Sequence, residues 1–154
     1  MALQAIFYLD NNKNKFYVVQ DVNYEISKSV HNFKPTSNAK GGMIYFTILS
    51  PEPEDLIFHE WVLGVTKQMS GMFDLPIVKG IKHSNRYVFF DDAFCTSLRE
   101  YHSGSNGLQV YMQITICATK LWFGKNTQVF LINNEVHKAT RKDMDMERPK
   151  LIFT

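Results

Sequence analysis

The sequence predicts an all-β protein, an antiparallel β-barrel with one flanking α-helix over about 55–68 and a long loop over about 31–42. Three observations carry this. Apolar and polar residues alternate through most of the chain, turn formers separate those runs at regular spacing, and one segment alone repeats every 3.6 residues.

Gln4–Leu9 and Phe16–Val22 read as strands of a hairpin around the polar turn Asp10–Lys15. Tyr24, Ile26 and Val30 then alternate with Glu25, Ser27 and Ser29, so one face of this stretch is solvated. From His31 to Gly42 the chain has no period and is rich in turn formers. A loop of about a dozen residues is commonly functional or flexible in a compact domain. An ordinary solvated connection is the alternative.

Met43–Leu49 is the strongest strand. Ile44, Phe46 and Ile48 share one face, and Met43, Tyr45, Thr47 and Leu49 the other, so both faces carry apolar groups and the second needs its own cover. The helix follows. Pro51, Pro53 and Asp55 punctuate its start, where a missing N–H costs nothing and a carboxylate caps free donors. Ile57, Phe58, Trp61, Val62 and Val65 form the face that holds it to the barrel. Leu56, His59, Glu60, Leu63 and Lys67 lie around the other side, free to meet a neighbour.

Ser70–Pro76 and Lys79–Asn85 are turn-rich, Arg86–Phe90 is a strand, Asp91-Asp92 a turn or bulge, and Ala93–Glu100 a further strand. After a turn at Ser103–Gly107, Val110, Met112, Ile114, Ile116 and Ala118 alternate cleanly with polar neighbours. Lys120 falls on the apolar parity and suggests a bulge. Leu121–Phe123 leads into a turn at Gly124–Asn126, and Thr127–Ile132 closes the series. A domain boundary is expected near 134, with a charged tail over 135–154.

At 154 residues the chain can bury a core as one domain without a disulfide or metal staple. Its 17 basic and 15 acidic side chains nearly balance, which gives no pointer to nucleic acid or an acidic membrane. Cys95 and Cys117 sit in β-patterned segments without metal-ligand spacing, so buried free thiols are expected ahead of a disulfide. No run approaches the roughly 18 apolar residues of a bilayer span. Met1–Asp10 lacks the basic start and long apolar core of a signal peptide, so the expectation is a protein made soluble in the cytoplasm.

Catalytic motifs fail on inspection. His59-Glu60 opens HExxH, but Leu63 stands where the second histidine belongs, and the five histidines show no metal-ligand spacing. Gly104–Gly107 is not a nucleophile elbow, and Gly124-Lys125-Asn126 lacks the rest of a phosphate loop. Tyr87, Phe89 and Phe90 beside Arg86 could stack bases, which keeps open a monomeric barrel binding a small ligand or oligonucleotide. Core packing is the plainer role for them. No catalytic residue, metal or cofactor is called for.

Several stretches, in order, carry a family resemblance: Tyr24–Val30, Lys40-Gly41-Gly42 entering Met43–Ile48, Asp55-Leu56 through Glu60–Leu63, Phe90–Cys95 with Glu100, and Ile114–Ala118 with Phe123-Gly124. From about Ala5 to Asn134 the chain resembles the tube protein of type VI secretion systems, Hcp or TssD, in its Bacteroidetes form. The resemblance implies a non-enzymatic structural subunit that closes into hexameric rings, which stack into a hollow tube expelled by a contractile sheath. It implies homo-oligomer contacts and sheath, spike and effector partners, with no nucleic acid and no direct membrane insertion. Export would then need no signal peptide, the protein being cytoplasmic before firing. The long loop would reach the adjacent subunit or ring through His31, Phe33, Lys34, Pro35, Thr36, Asn38, Lys40, Gly41 and Gly42.

Overall fold

A computed structural model describes residues 4–10, 12, 14–102, 110–124 and 129–132. Its strands are β1 (Ala5–Leu9), β2 (Phe16–Tyr24), β3 (Val30–His31), β4 (Lys34–Pro35), β5 (Met43–Leu49), β6 (Met69–Lys79), β7 (Lys82–Tyr101), β8 (Tyr111–Phe123) and β9 (Val129–Ile132). One helix, α1 (Ile57–Leu63), lies between β5 and β6. The sheet runs β5-β2-β1-β6-β7-β8-β9, and β5 also pairs with β8 from Met43↔Cys117 to Leu49↔Tyr111. That pairing closes β2, β1, β6, β7, β8 and β5 into an antiparallel barrel and leaves β9 outside on β8.

Alternation fixes which side chains enter. Ile44, Phe46 and Ile48 on β5, and Met112, Ile114, Ile116 and Ala118 on β8, are buried in the interior as their period requires. Phe7 stands at the centre, with ring centroids 5.0 Å from Phe46, 4.9 Å from Phe73 and 5.8 Å from Phe90. Each such ring removed from water contributes about 1.5–3 kcal/mol. A second row crosses the outer face in register, Tyr8↔Met72↔Phe89↔Trp122, and is also buried.

The helix plugs one end of the barrel. Phe58 meets Tyr17 edge-on at 4.9 Å, and the Trp61 indole Nε1–H donates to the Ala93 carbonyl at 3.0 Å. Strand direction defines the two ends. Leu9, Leu49 and Tyr101 finish at the helix end, while Tyr24, Asp74 and Phe123 run to the opposite end.

Two expectations change. The helix is seven residues rather than 55–68, because Gly64 turns extended (φ −77°, ψ 118°) and strands Val65 at 92 % exposure. Asp55 sits one residue before the N-cap Leu56, yet its Oδ1 still accepts from the Ile57 N–H at 3.3 Å. Most of the turn-rich stretches Ser70–Pro76 and Lys79–Asn85 lie inside β6 and β7, whose partners supply the ladder bonds that composition argued against. A Cβ on Gly71 would stand 2.6 Å from the Tyr8 carbonyl oxygen, so this glycine marks close approach and not a turn.

Asp91-Asp92 is a bulge: the β6–β7 register shifts opposite Ser70, Asp92 has φ 50°, and the Ser70 hydroxyl donates to Asp91. At Lys120 the register with β7 does not shift, but the inward-facing parity passes from Ala118 to Leu121, and Lys120 Nζ reaches Asp92 Oδ2 at 3.7 Å. Cys95 and Cys117 are both free thiols. The turns at Ser103–Gly107 and over 125–126 and the tail over 135–154 lie outside the described residues.

Candidate assembly interface

The expected long loop is an ordered flap. Ser27 and Lys40 exchange backbone bonds at 2.9 and 2.7 Å, the Thr36 N–H donates to the Ser29 carbonyl, and the Ser37 hydroxyl accepts from the Ser29 N–H. Beyond them β3 and β4 pair through Val30↔Pro35 and His31↔Lys34. Asn32 and Phe33 make the turn, both left-handed at φ 50° and 65°. A two-residue hairpin turn with both φ values positive normally selects Asn-Gly. Phe33 stands there instead, 101 % exposed. An aromatic held in strained backbone and wholly in water gains nothing from its own chain.

His31, Lys34, Pro35, Thr36, Asn38 and Lys40 are exposed along the flap, as an interface requires. Gly41 and Gly42 are not. Gly42 is buried at φ 101° and its carbonyl accepts from the Ala118 N–H at 2.7 Å. A Cβ on Gly41 would meet Leu131 Cδ2 at 2.9 Å and the Glu25 carbonyl at 3.1 Å. These two glycines seat the flap on the barrel.

On the helix, Leu56, Glu60 and Leu63 are exposed, and Lys67 pairs with Glu60 at 3.5 Å. His59 turns from that surface into a cleft of about 600 Å³ between the β5–α1 connection and the start of β8. There His59 Nε2 and His102 Nε2 flank the Glu100 carboxylate at 3.5 and 3.4 Å, and the Ser50 hydroxyl donates to it at 2.9 Å. Burial pushes the Glu100 carboxyl up, but the Ser50 hydrogen bond and the two imidazoles outweigh it and hold it below the usual range. His59 Nδ1 is buried with no hydrogen-bond partner among the described residues. Sequence spacing did not join these groups, because only barrel closure brings Ser50, His59 and Glu100 together.

Phe89 and Phe90 are fully buried, so the aromatics available to a base-stacking barrel are spent on packing. Among the described residues no cluster of histidine, cysteine or carboxylate side chains could hold a metal.

The family model for the hemolysin coregulated protein Hcp (TssD) matches residues 1–129. The chain belongs to the Hcp/TssD family. It is thereby a tube subunit of the type VI secretion system, from a family that forms hexameric rings. Hcp folds of known structure superpose on it at low identity. Hcp1 from Flavobacterium johnsoniae matches at TM-score 0.66 and 17 % identity, over 85 % of this chain and all (100 %) of that one. Hcp3 from Pseudomonas aeruginosa matches at 0.59 and 9 %, over 87 % and 100 %, and Hcp1 from E. coli EAEC 042 at 0.62 and 9 %, over 84 % and 97 %. No curated protein matches the sequence.

Proposed function

We propose that this Hcp is a non-enzymatic building block whose hexameric rings stack through the flap into a hollow tube. A contractile sheath would expel that tube behind a spike, with effectors carried to the target cell. The observation that carries the reading is Phe33, a fully exposed aromatic on an ordered, strained hairpin beside a barrel filled with its own side chains. The outer helix face with Leu56, Glu60 and Leu63 offers a second contact surface. The protein would reside in the cytoplasm before firing and leave by injection, without a cofactor, nucleic acid or direct membrane insertion.

Size-exclusion chromatography with light scattering and negative-stain imaging of the full chain tests this. Six-fold rings that stack at high concentration are expected. A chain that remains monomeric at every concentration overturns the reading.

A further inference from the structure

Two features at opposite ends of the barrel are complementary, and one copy cannot bring them together. The first is the β6–β7 hairpin. β6 pairs with β1 only as far as Ile6↔Asp74, and β7 meets β8 only from Val88↔Phe123. The pairs from Leu75↔Arg86 to Lys79↔Lys82 therefore form a ribbon with no further strand on either edge among the described residues, about 16 Å long at the usual strand rise. Gly80 opens its tip at φ 61°, the position where a two-residue II′ turn places glycine.

A bare two-stranded ribbon is marginal in water. This one also ends in apolar side chains, Val78 at 53 % and Ile81 at 95 % exposure. Lys79, Lys82 and Arg86 surround them, no acidic residue lies between Leu75 and Arg86, and none of the three forms an ion pair among the described residues.

The second feature is the cleft beside α1. Its apolar wall is Leu49, Pro51, Pro53, Leu56, Val110 and Met112. The segment Ser50–Glu60 around it carries Glu52, Glu54, Asp55 and Glu60 and no lysine or arginine. Asp55 and Glu60 have partners within the chain, whereas Glu52 and Glu54 are exposed and form no ion pair among the described residues. An apolar tip ringed by positive charge thus faces, end for end, an apolar cleft rimmed by negative charge.

We infer that the β6–β7 arm of one copy docks in the cleft beside α1 of a second copy, with Ile81 seated against Leu56 and the prolines and Lys79 and Lys82 over Glu52 and Glu54. The inference rests on the tube reading only in requiring self-assembly. The two surfaces differ, so the contact is heterologous and repeats from copy to copy, using each surface once. Exposed ion pairs contribute little each, so the apolar tip supplies affinity while the charges set register and encounter rate.

Two experiments on the full chain test it. Lys79→Glu with Lys82→Glu, or Glu52→Lys with Glu54→Lys, is expected to weaken assembly about tenfold or more at moderate salt, and the four changes together to restore it. Light scattering and circular dichroism read assembly and fold in parallel. Separately, Ile81→Cys and Leu56→Cys proteins are expected to form a disulfide-linked pair only when mixed. Rings and tubes unchanged by both reversals, or no cross-link on mixing, overturn the arm-and-cleft contact and leave the tube reading standing. Loss of binding to some other protein with self-assembly intact also overturns it. A wild-type chain without assembly at any concentration overturns both.

Discussion

The Tyr17 hydroxyl donates to Asp55 Oδ2 at 2.8 Å, joining the barrel wall to the entrance of the helix across 38 residues of sequence. The other carboxylate oxygen holds the Ile57 N–H. Burial, and then this hydrogen bond, raise the phenol well above its ordinary value. Tyr17→Phe keeps the ring against Phe58 and removes only the donor, so we expect a loss of about 1.5 kcal/mol. That is roughly 3–6 °C in Tm for a chain of this size. Because the folded value is raised, wild-type stability should also fall as pH climbs past the unfolded value of about 10, and Tyr17→Phe should remove that part of the decline. Thermal melts from pH 7 to 11 measure both effects.

Gly71 and Gly80 separate close approach from conformational strain. A Cβ at Gly71 would stand 2.6 Å from the Tyr8 carbonyl oxygen and 2.7 Å from Phe90 Cζ, within the barrel wall between β1 and β7. Neither neighbour has room to move. Gly71→Ala should cost about 3 kcal/mol or abolish folding. At Gly80 a Cβ meets nothing within 4 Å, and only φ 61° opposes it, so Gly80→Ala should cost about 1 kcal/mol. Urea unfolding of the two variants should differ in midpoint accordingly; equal midpoints would contradict the tight packing at Gly71.

The interior was legible wherever a strand buries one face only. In Met43–Leu49 and Val110–Ala118 the period of two assigns every side chain, since a slip of one residue would turn Ile44, Phe46 and Ile48 to water. β6 and the arm were not legible, because Gly71, Pro76 and Ser84-Asn85 are turn formers held extended by their partners. Pro76 is tolerated where β6 has left β1 and needs no second ladder bond. Phe33 gave no turn signal either, since its left-handed φ follows from the pairing of β3 with β4 and not from its residue type. The cleft joins Ser50, His59 and Glu100, and no local pattern encodes contacts made by closure of β5 on β8.

Glu100 makes the cleft acid-sensitive. Burial opposes its ionisation, and the Ser50 hydroxyl with His102 and His59 more than compensates, so the folded value lies below the unfolded one of about 4.3. Its contribution is therefore present above about pH 4.3 and lost as pH falls through the folded value. Glu100→Gln should be less stable than wild type by about 1 kcal/mol at pH 7. The difference should close below pH 4, where both side chains are neutral. Melting curves in a pH series decide it; a difference that persists at pH 3 would mean the carboxylate is held by something other than its charge.

Phe33 offers a test in which stability and assembly move in opposite directions. Its backbone at φ 65° suits glycine, and its ring touches nothing that would be lost on removal, being 101 % exposed. Phe33→Gly should therefore leave the isolated subunit as stable as before, or more stable by about 0.5–1 kcal/mol as strain is relieved. If the flap is a joint, the same change removes an aromatic anchor whose burial on a neighbour is worth about 2 kcal/mol or more. Assembly should then weaken about thirtyfold. Melts below the assembly concentration isolate the first effect, since association itself would raise the apparent Tm. Light scattering across a concentration series reads the second. A variant that is more stable and assembles as well as wild type would leave the strained phenylalanine without a role in the joint. One that is more stable and stays dissociated would show that the strain at Phe33 is offset only when a second subunit covers it.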